Sequence, residues 1–122
     1  MVLTELERKV IETMLADEAY EFCKVDVSAL QAYERDTDTT GFKTTLVPTK
    51  ASRVIERNFS GVWSRGGGYL EHEGRRIIVG FLVFVIDGLV HAVEGYTYVE
   101  EWPADAKLVD VFVDGSSSDS FR

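Results

Sequence analysis

A chain of 122 residues, 45% hydrophobic and 28% charged, has the size and composition of one globular domain with its own core, which excludes low-complexity and collagen-like chains. A single cysteine, Cys23, excludes an intrachain disulfide and points to a reducing compartment, so a cytoplasmic location is expected. A net charge of -8 disfavours direct binding to nucleic acid and favours a basic partner. That charge is uneven. Residues 1–40 carry ten acids and four bases, residues 41–76 three acids and seven bases, and residues 77–122 eight acids and two bases.

The first residues, MVLTELERKV, lack a basic segment followed by an apolar stretch, so no signal peptide is expected. Thr4-Glu-Leu-Glu7 has the form of a capping box. Behind it Leu6, Val10, Ile11, Met14 and Leu15 recur at helical spacing and predict an amphipathic helix. Ala19, Phe22 and Cys23 extend that stripe, so the helix either runs to Lys24 or gives way to a second one capped by Asp17. Asp26 is placed to cap a further helix through Arg35, with Ala29, Leu30 and Tyr33 turned inward.

Asp36-Thr-Asp-Thr-Thr-Gly41 is a polar turn, and beyond it the periodicity changes. Phe42 to Val47 predicts a short strand ended by Pro48, and Ser52 to Trp63 a longer one. Arg65-Gly-Gly-Gly68 reads as a flexible loop and Glu71-His-Glu-Gly74 as a turn. Ile77 to Ile86 is the longest apolar run, about half the length a membrane-spanning helix needs, and suits a central strand. Asp87-Gly88 then predicts a two-residue hairpin. Its register sets Ile86 against Leu89, Gly80 against Gly95, and Phe81 against Glu94. Glu94 would thus share a face with Val79, Phe81, Tyr96 and Tyr98. The paired glycines would leave a bare strip for a helix or a large side chain such as Trp63 or Trp102. Leu108 to Val113 is a last strand, and Gly115-Ser-Ser-Ser-Asp-Ser120 is a tail composition.

These elements predict an α+β fold, with an N-terminal helix or helices packed on a four- to five-stranded, mainly antiparallel sheet. Residues 1–114 would form the single domain and residues 115–122 a polar C-terminal tail.

No catalytic set emerges. His72 lies in a turn, His91 mid-strand, and their separation without a thiol pair gives no zinc spacing; no metal or cofactor is expected. Cys23 sits on an apolar helical stripe, the usual place of an inert thiol. The Gly66–Gly68 run lacks the lysine and helix of a phosphate cradle. Arg53, Arg57, Arg65, Arg75 and Arg76 make a basic middle third that suits either a phosphate or nucleic-acid patch or, as their spacing along strands favours, cross-strand partners for the acidic segments. Glu94, among aromatics, is the one carboxylate that suggests a pocket, and a small-molecule site or small enzyme centred there is one alternative. An inhibitor that mimics nucleic acid is another. Aromatics beside acids fit a protein interface better: Glu94, Tyr96, Tyr98, Glu100, Glu101 and Trp102 form the candidate partner-binding set. Two placements stay open. Tyr96 and Tyr98 lie under a helix with Trp102-Pro103 folded over the sheet edge, or the acidic-aromatic corner faces a partner.

LTELERKVIETML at the start, NFSGV at 58–62 and GFLVFVIDGLVHAVEGYTYVEEWP at 80–103 resemble a set of small, acidic bacterial proteins. Those share the first-helix pattern, an Asn-Phe-Ser-Gly-Val-like strand, and an Asp-Gly hairpin ending Glu-Gly-Tyr-x-Tyr-x-x-Glu-Trp-Pro. The resemblance covers about two-thirds of the chain and does not extend over residues 24–50. Their size and acidity are similar to those of immunity proteins of bacterial toxin systems, including contact-dependent growth inhibition. The resemblance implies a cytoplasmic, non-enzymatic protein whose partner is a basic cognate toxin domain. It implies neither membrane nor direct nucleic-acid binding, and supplies no catalytic residues.

Overall fold

Thr4 and Glu7 start the first helix as their spacing predicts. In the computed structural model, which describes residues 1–15, 26–54, 59–98, 100–103 and 105–113, the Glu7 amide donates to Thr4 Oγ1 at 3.1 Å. The Thr4 amide donates back to Glu7 Oε1 at 2.7 Å, which closes the capping box. Helix α1 then runs over Glu5–Leu15 and buries Val10, Ile11, Met14 and Leu15. Each such side chain contributes roughly 1.5–3 kcal/mol relative to exposure. Extension of the helix to Lys24, a second helix at Asp17, and Cys23 all lie outside the described residues.

Six antiparallel strands form one sheet among the described residues, where four or five were expected. They are β1 (Ala32–Asp38), β2 (Gly41–Leu46), β3 (Gly61–His72), β4 (Arg75–Ile86), β5 (Leu89–Thr97) and β6 (Lys107–Val113), in the spatial order β1-β2-β5-β4-β3-β6. The meander β3-β4-β5 is the centre, the β1–β2 hairpin extends it beside β5, and β6 extends it beside β3. Helix α1 lies across one face. The core between them is built from Val79, Phe81, Val83 and Val85 of β4, with Trp63, Leu70, Val90, Val93 and Leu46 from the neighbouring strands. The architecture is α+β.

Four expectations fail for identifiable reasons. The helix from Asp26 to Arg35 is one 3-10 turn, Val27–Ala29, capped by Asp26 Oδ1, and the chain then enters β1. Ala32 pairs with Leu46 and turns inward, while Tyr33 at the following bulge stays exposed. The strand expected from Ser52 starts at Gly61; Lys50–Ser52 form a 3-10 turn, and residues 55–58 lie outside the described set. Gly66-Gly-Gly68 is not a loop but the middle of β3, where a Cβ on Gly66 would overlap Met14 of α1. Close approach, not flexibility, explains that glycine.

The fourth concerns register. Glu73-Gly74 and Asp87-Gly88 both turn with positive φ (51°, 78°, 52° and 81°), as tight two-residue hairpins require. Ile86 pairs with Leu89 and Val85 with Val90, as predicted. Phe84 then pairs with Ala92, so His91 is the extra residue of a β-bulge. Every later pair slips by one: Leu82 faces Glu94, Phe81 faces Gly95, and Gly80 faces Tyr96. A slip by one exchanges the faces. Glu94 therefore lies on the side opposite Phe81 and Val79, and the two glycines do not face each other.

One ionic contact ties helix to sheet. Glu7 is 2% exposed, and Arg35 of β1 grips it from Nε and Nη2, each at 2.7 Å. Thr44 of β2 donates its hydroxyl to the same carboxylate. Burial pushes the Glu7 carboxyl upward, but the hydrogen bonds from Arg35, Thr44 and Thr4 outweigh it and hold it below its ordinary value near 4.5. Glu7→Ala is expected to cost about 3 kcal/mol in urea unfolding, the low end for a broken buried pair because the Arg35 side chain keeps 27% exposure. Glu7→Gln can keep the cap through its Oε1 while removing the charge and the second acceptor that Arg35 Nε and Thr44 use. A lowered folded-state pKa gives stability that is complete above pH 4.5 and lost as pH falls through the depressed value. The stability gap between wild type and Glu7→Gln should therefore narrow on acidification below pH 4.5. A gap independent of pH would rule out an ionised Glu7 as its source.

Candidate interaction surface

Alternation along β4 sends Val79, Phe81, Val83 and Val85 toward α1 and Ile78, Leu82, Phe84 and Ile86 to the other side. Val62 and Tyr69 of β3 join that outer row, since they pair with Phe84 and Ile78. Tyr96 projects from β5 and lies over Gly80, and Phe112 from β6 lies over Gly67. Gly67 and Gly80 are themselves paired, so two rings lean inward over a glycine floor. Tyr98 stacks edge-on against Tyr96, with centroids 5.5 Å apart. Val62, Ile78, Ile86 and Tyr98 are 48%, 36%, 45% and 55% exposed. Half of the large hydrophobics exposed among the described residues thus project from this one face.

Acids outnumber bases along the apolar row on one side only. Glu34, Asp36 and Asp38 alternate outward along β1, opposite Thr45, Lys43 and Gly41. Lys43 in turn pairs with Glu94 of β5. The lysine does not simply cancel that charge, because its Nζ lies over the Phe84 ring at 5.0 Å. Asp38 accepts from the Thr40 amide at 2.8 Å, the Thr40 hydroxyl at 3.0 Å and the Gly41 amide at 2.9 Å. Those bonds, the Thr40 amide first, lower its pKa. On the β3–β6 side the charges balance: Glu71 and Asp110 stand with Arg76 and Lys107, and Arg76 leans over Tyr69 at 5.9 Å.

The six residues expected to bind a partner divide between places. Glu94, Tyr96 and Tyr98 share the outer face, so the tyrosines do not lie under the helix. Trp102 turns to the core side, where its ring meets Phe42 edge-on at 5.3 Å and covers Gly95, while its amide donates to Thr39 at 2.8 Å. The bare glycine therefore does receive Trp102. Glu100 is paired with Arg75 at 3.2 Å, one of the cross-strand partnerships expected of the basic middle third. Glu101 is exposed beside it. Val62, Ile78 and Ile86 were not in the expected set. Their signal was present in a strand apolar on both faces, which demands cover on both sides or leaves one side open.

The hollows near these residues are shallow. A groove of about 190 Å³ runs along Asp36, Asp38, Lys43, Glu94 and Tyr96. Ligand pockets usually enclose about 300–1,000 Å³ and bury most of their ligand. A larger hollow of about 470 Å³ lies between Arg75, His72 and the segment 100–105, crossed by the Arg75–Glu100 pair. Among the described residues no three His, Cys, Asp or Glu side chains gather to hold a metal ion, and no helix is long and apolar enough to cross a membrane.

Fold and surface define an α+β domain, with one α-helix among the described residues, an open, apolar sheet face and an acidic margin beside it. Compared with known proteins, the chain matches no family model, no curated protein and no solved structure. The division of the six residues has a measurable consequence. Trp102→Ala should lower unfolding stability by about 2 kcal/mol, since it removes a half-buried ring from the core. Tyr98→Ala, at an exposed site, should stay within about 0.5 kcal/mol of wild type. Equal losses in chemical denaturation would mean that the two rings do not occupy different environments.

Proposed function

We propose that this protein is a non-enzymatic acidic binding protein, an immunity protein that neutralises a basic toxin domain by occupying it directly. The observation that carries the reading is the open sheet face. Apolar patches of this kind on a small domain mark interaction sites, and an acidic border selects a basic partner and steers its approach. The net charge of -8 points the same way, as does the resemblance of residues 80–103 to small acidic bacterial proteins. A small-molecule site at Glu94 is less well supported, because the groove there is below the usual pocket size. A nucleic-acid mimic would need carboxylates across its contact surface, whereas here the centre is apolar.

The test is co-expression in a bacterial host with the toxin domain encoded beside this gene. Growth should be rescued, and calorimetry on the purified pair should give a 1:1 complex. Association should slow several-fold between low and physiological salt, as screening of the acidic margin requires. A toxin that stays lethal, with no heat of binding, would remove this reading.

A further inference from the structure

The outer face has a direction and a polarity, and together they describe what fits it. Its long axis is β4. From Ile78 to Ile86 the outward positions span eight residues, roughly 27 Å at ~3.4 Å per residue. That is the length of about 18 helical residues at ~1.5 Å each. Its width is set by β3 and β4, which sit about 4.8 Å apart. A helix about 10 Å across covers both strands. The opposite face of this sheet already carries a helix, α1, seated by Val10, Ile11 and Met14.

Polarity decides which helix. On the β5–β2–β1 side an incoming helix meets Glu94, Asp36 and Asp38. On the β3–β6 side it meets balanced charges. Lys43 already places a cation on Phe84, so a partner's basic residue is repelled there and must fall further out, toward the carboxylates. A second copy of this chain is a poor occupant, since it would bring a net charge of -8 against another -8.

We infer that the outer sheet face binds an amphipathic helix of a partner protein, laid along β4, with its apolar stripe on Ile78, Leu82 and Phe84 and its basic flank toward Glu94 and Asp36. This rests on the proposed function for the partner's identity, but not for the surface itself. The recognition is helix-on-surface docking with one-sided charge selection.

Two 18-residue helical peptides test it, one of leucine and lysine, the other of leucine and glutamate, titrated into the full-length protein and followed by NMR. The Leu/Lys peptide should bind at least tenfold tighter, with the largest amide shifts along β4 and at Tyr98. Tyr98→Ala should weaken it about fivefold, and Asp36→Lys with Glu94→Lys should abolish the preference while the thermal melt stays unchanged. Shifts centred elsewhere, equal binding of both peptides, or no binding would overturn the assignment. So would binding to phosphatidylglycerol vesicles in place of the peptides, which would make the face a lipid surface. The co-expression assay separates the two claims. Rescue by wild type and equally by Tyr98→Ala and Ile78→Asp variants would leave the function standing and reject this surface. Failure of wild type to rescue, with the peptide still mapped to β4, would do the reverse.

Discussion

A carboxylate buried beneath a helix must be matched or neutralised, and the way Glu7 is matched organises the rest of the chain. It faces inward at the start of α1 because the capping box turns it there, and Arg35 and Thr44 approach from two strands to meet it. The contact requires β1 to exist as a strand beside β2, since only there do Arg35 and Thr44 stand opposite each other. A helix over residues 26–35 could not supply this geometry. Isolated buried pairs contribute little net stability, because desolvation of both charges offsets their attraction. Their effect is on arrangement: an unpaired Glu7 would be costly wherever else the helix lay.

With α1 fixed, the sheet has one covered face and one open face, and small features decide which side chains go where. The bulge at His91 adds one residue to β5 and reverses everything beyond it. Glu94, Tyr96 and Tyr98 are moved outward by it, and Gly95 inward. Large side chains then fill the glycine positions: Met14 above Gly66, Phe42 and Trp102 at Gly95, Tyr96 at Gly80, Phe112 at Gly67. Glycine in a strand is poor for propensity, yet here it lets a neighbour lie flat on the backbone.

The open face combines the two properties that a binding surface needs. Its apolar centre offers area to bury, and its one-sided acidic margin offers selection. Both follow from alternation along strands whose inner residues the core already claims. Glu94 lies on a wide sheet face beside a narrow groove rather than in a desolvated cleft.

Much of the fold was legible in residue order because it depends on local chemistry. Thr4 and Glu7 specify a helix start, Asp87-Gly88 and Glu73-Gly74 specify tight turns, and the apolar run 77–86 specifies a central strand. The candidate site was half legible, since Glu94, Tyr96 and Tyr98 share a face at any register. Contacts between distant segments were not legible. Gly66–Gly68 run straight because they pair with β4 and β6, and residues 32–38 extend because they pair with β2 and carry Arg35 to Glu7. The His91 bulge is likewise invisible in the order of residues, because it shows only as a one-residue shift in the pairing of β4 with β5. The sequence by itself determined where the chain turns and what is apolar. Tertiary structure alone decided which apolar side chains remained exposed, because burial is shared out among segments only once they meet.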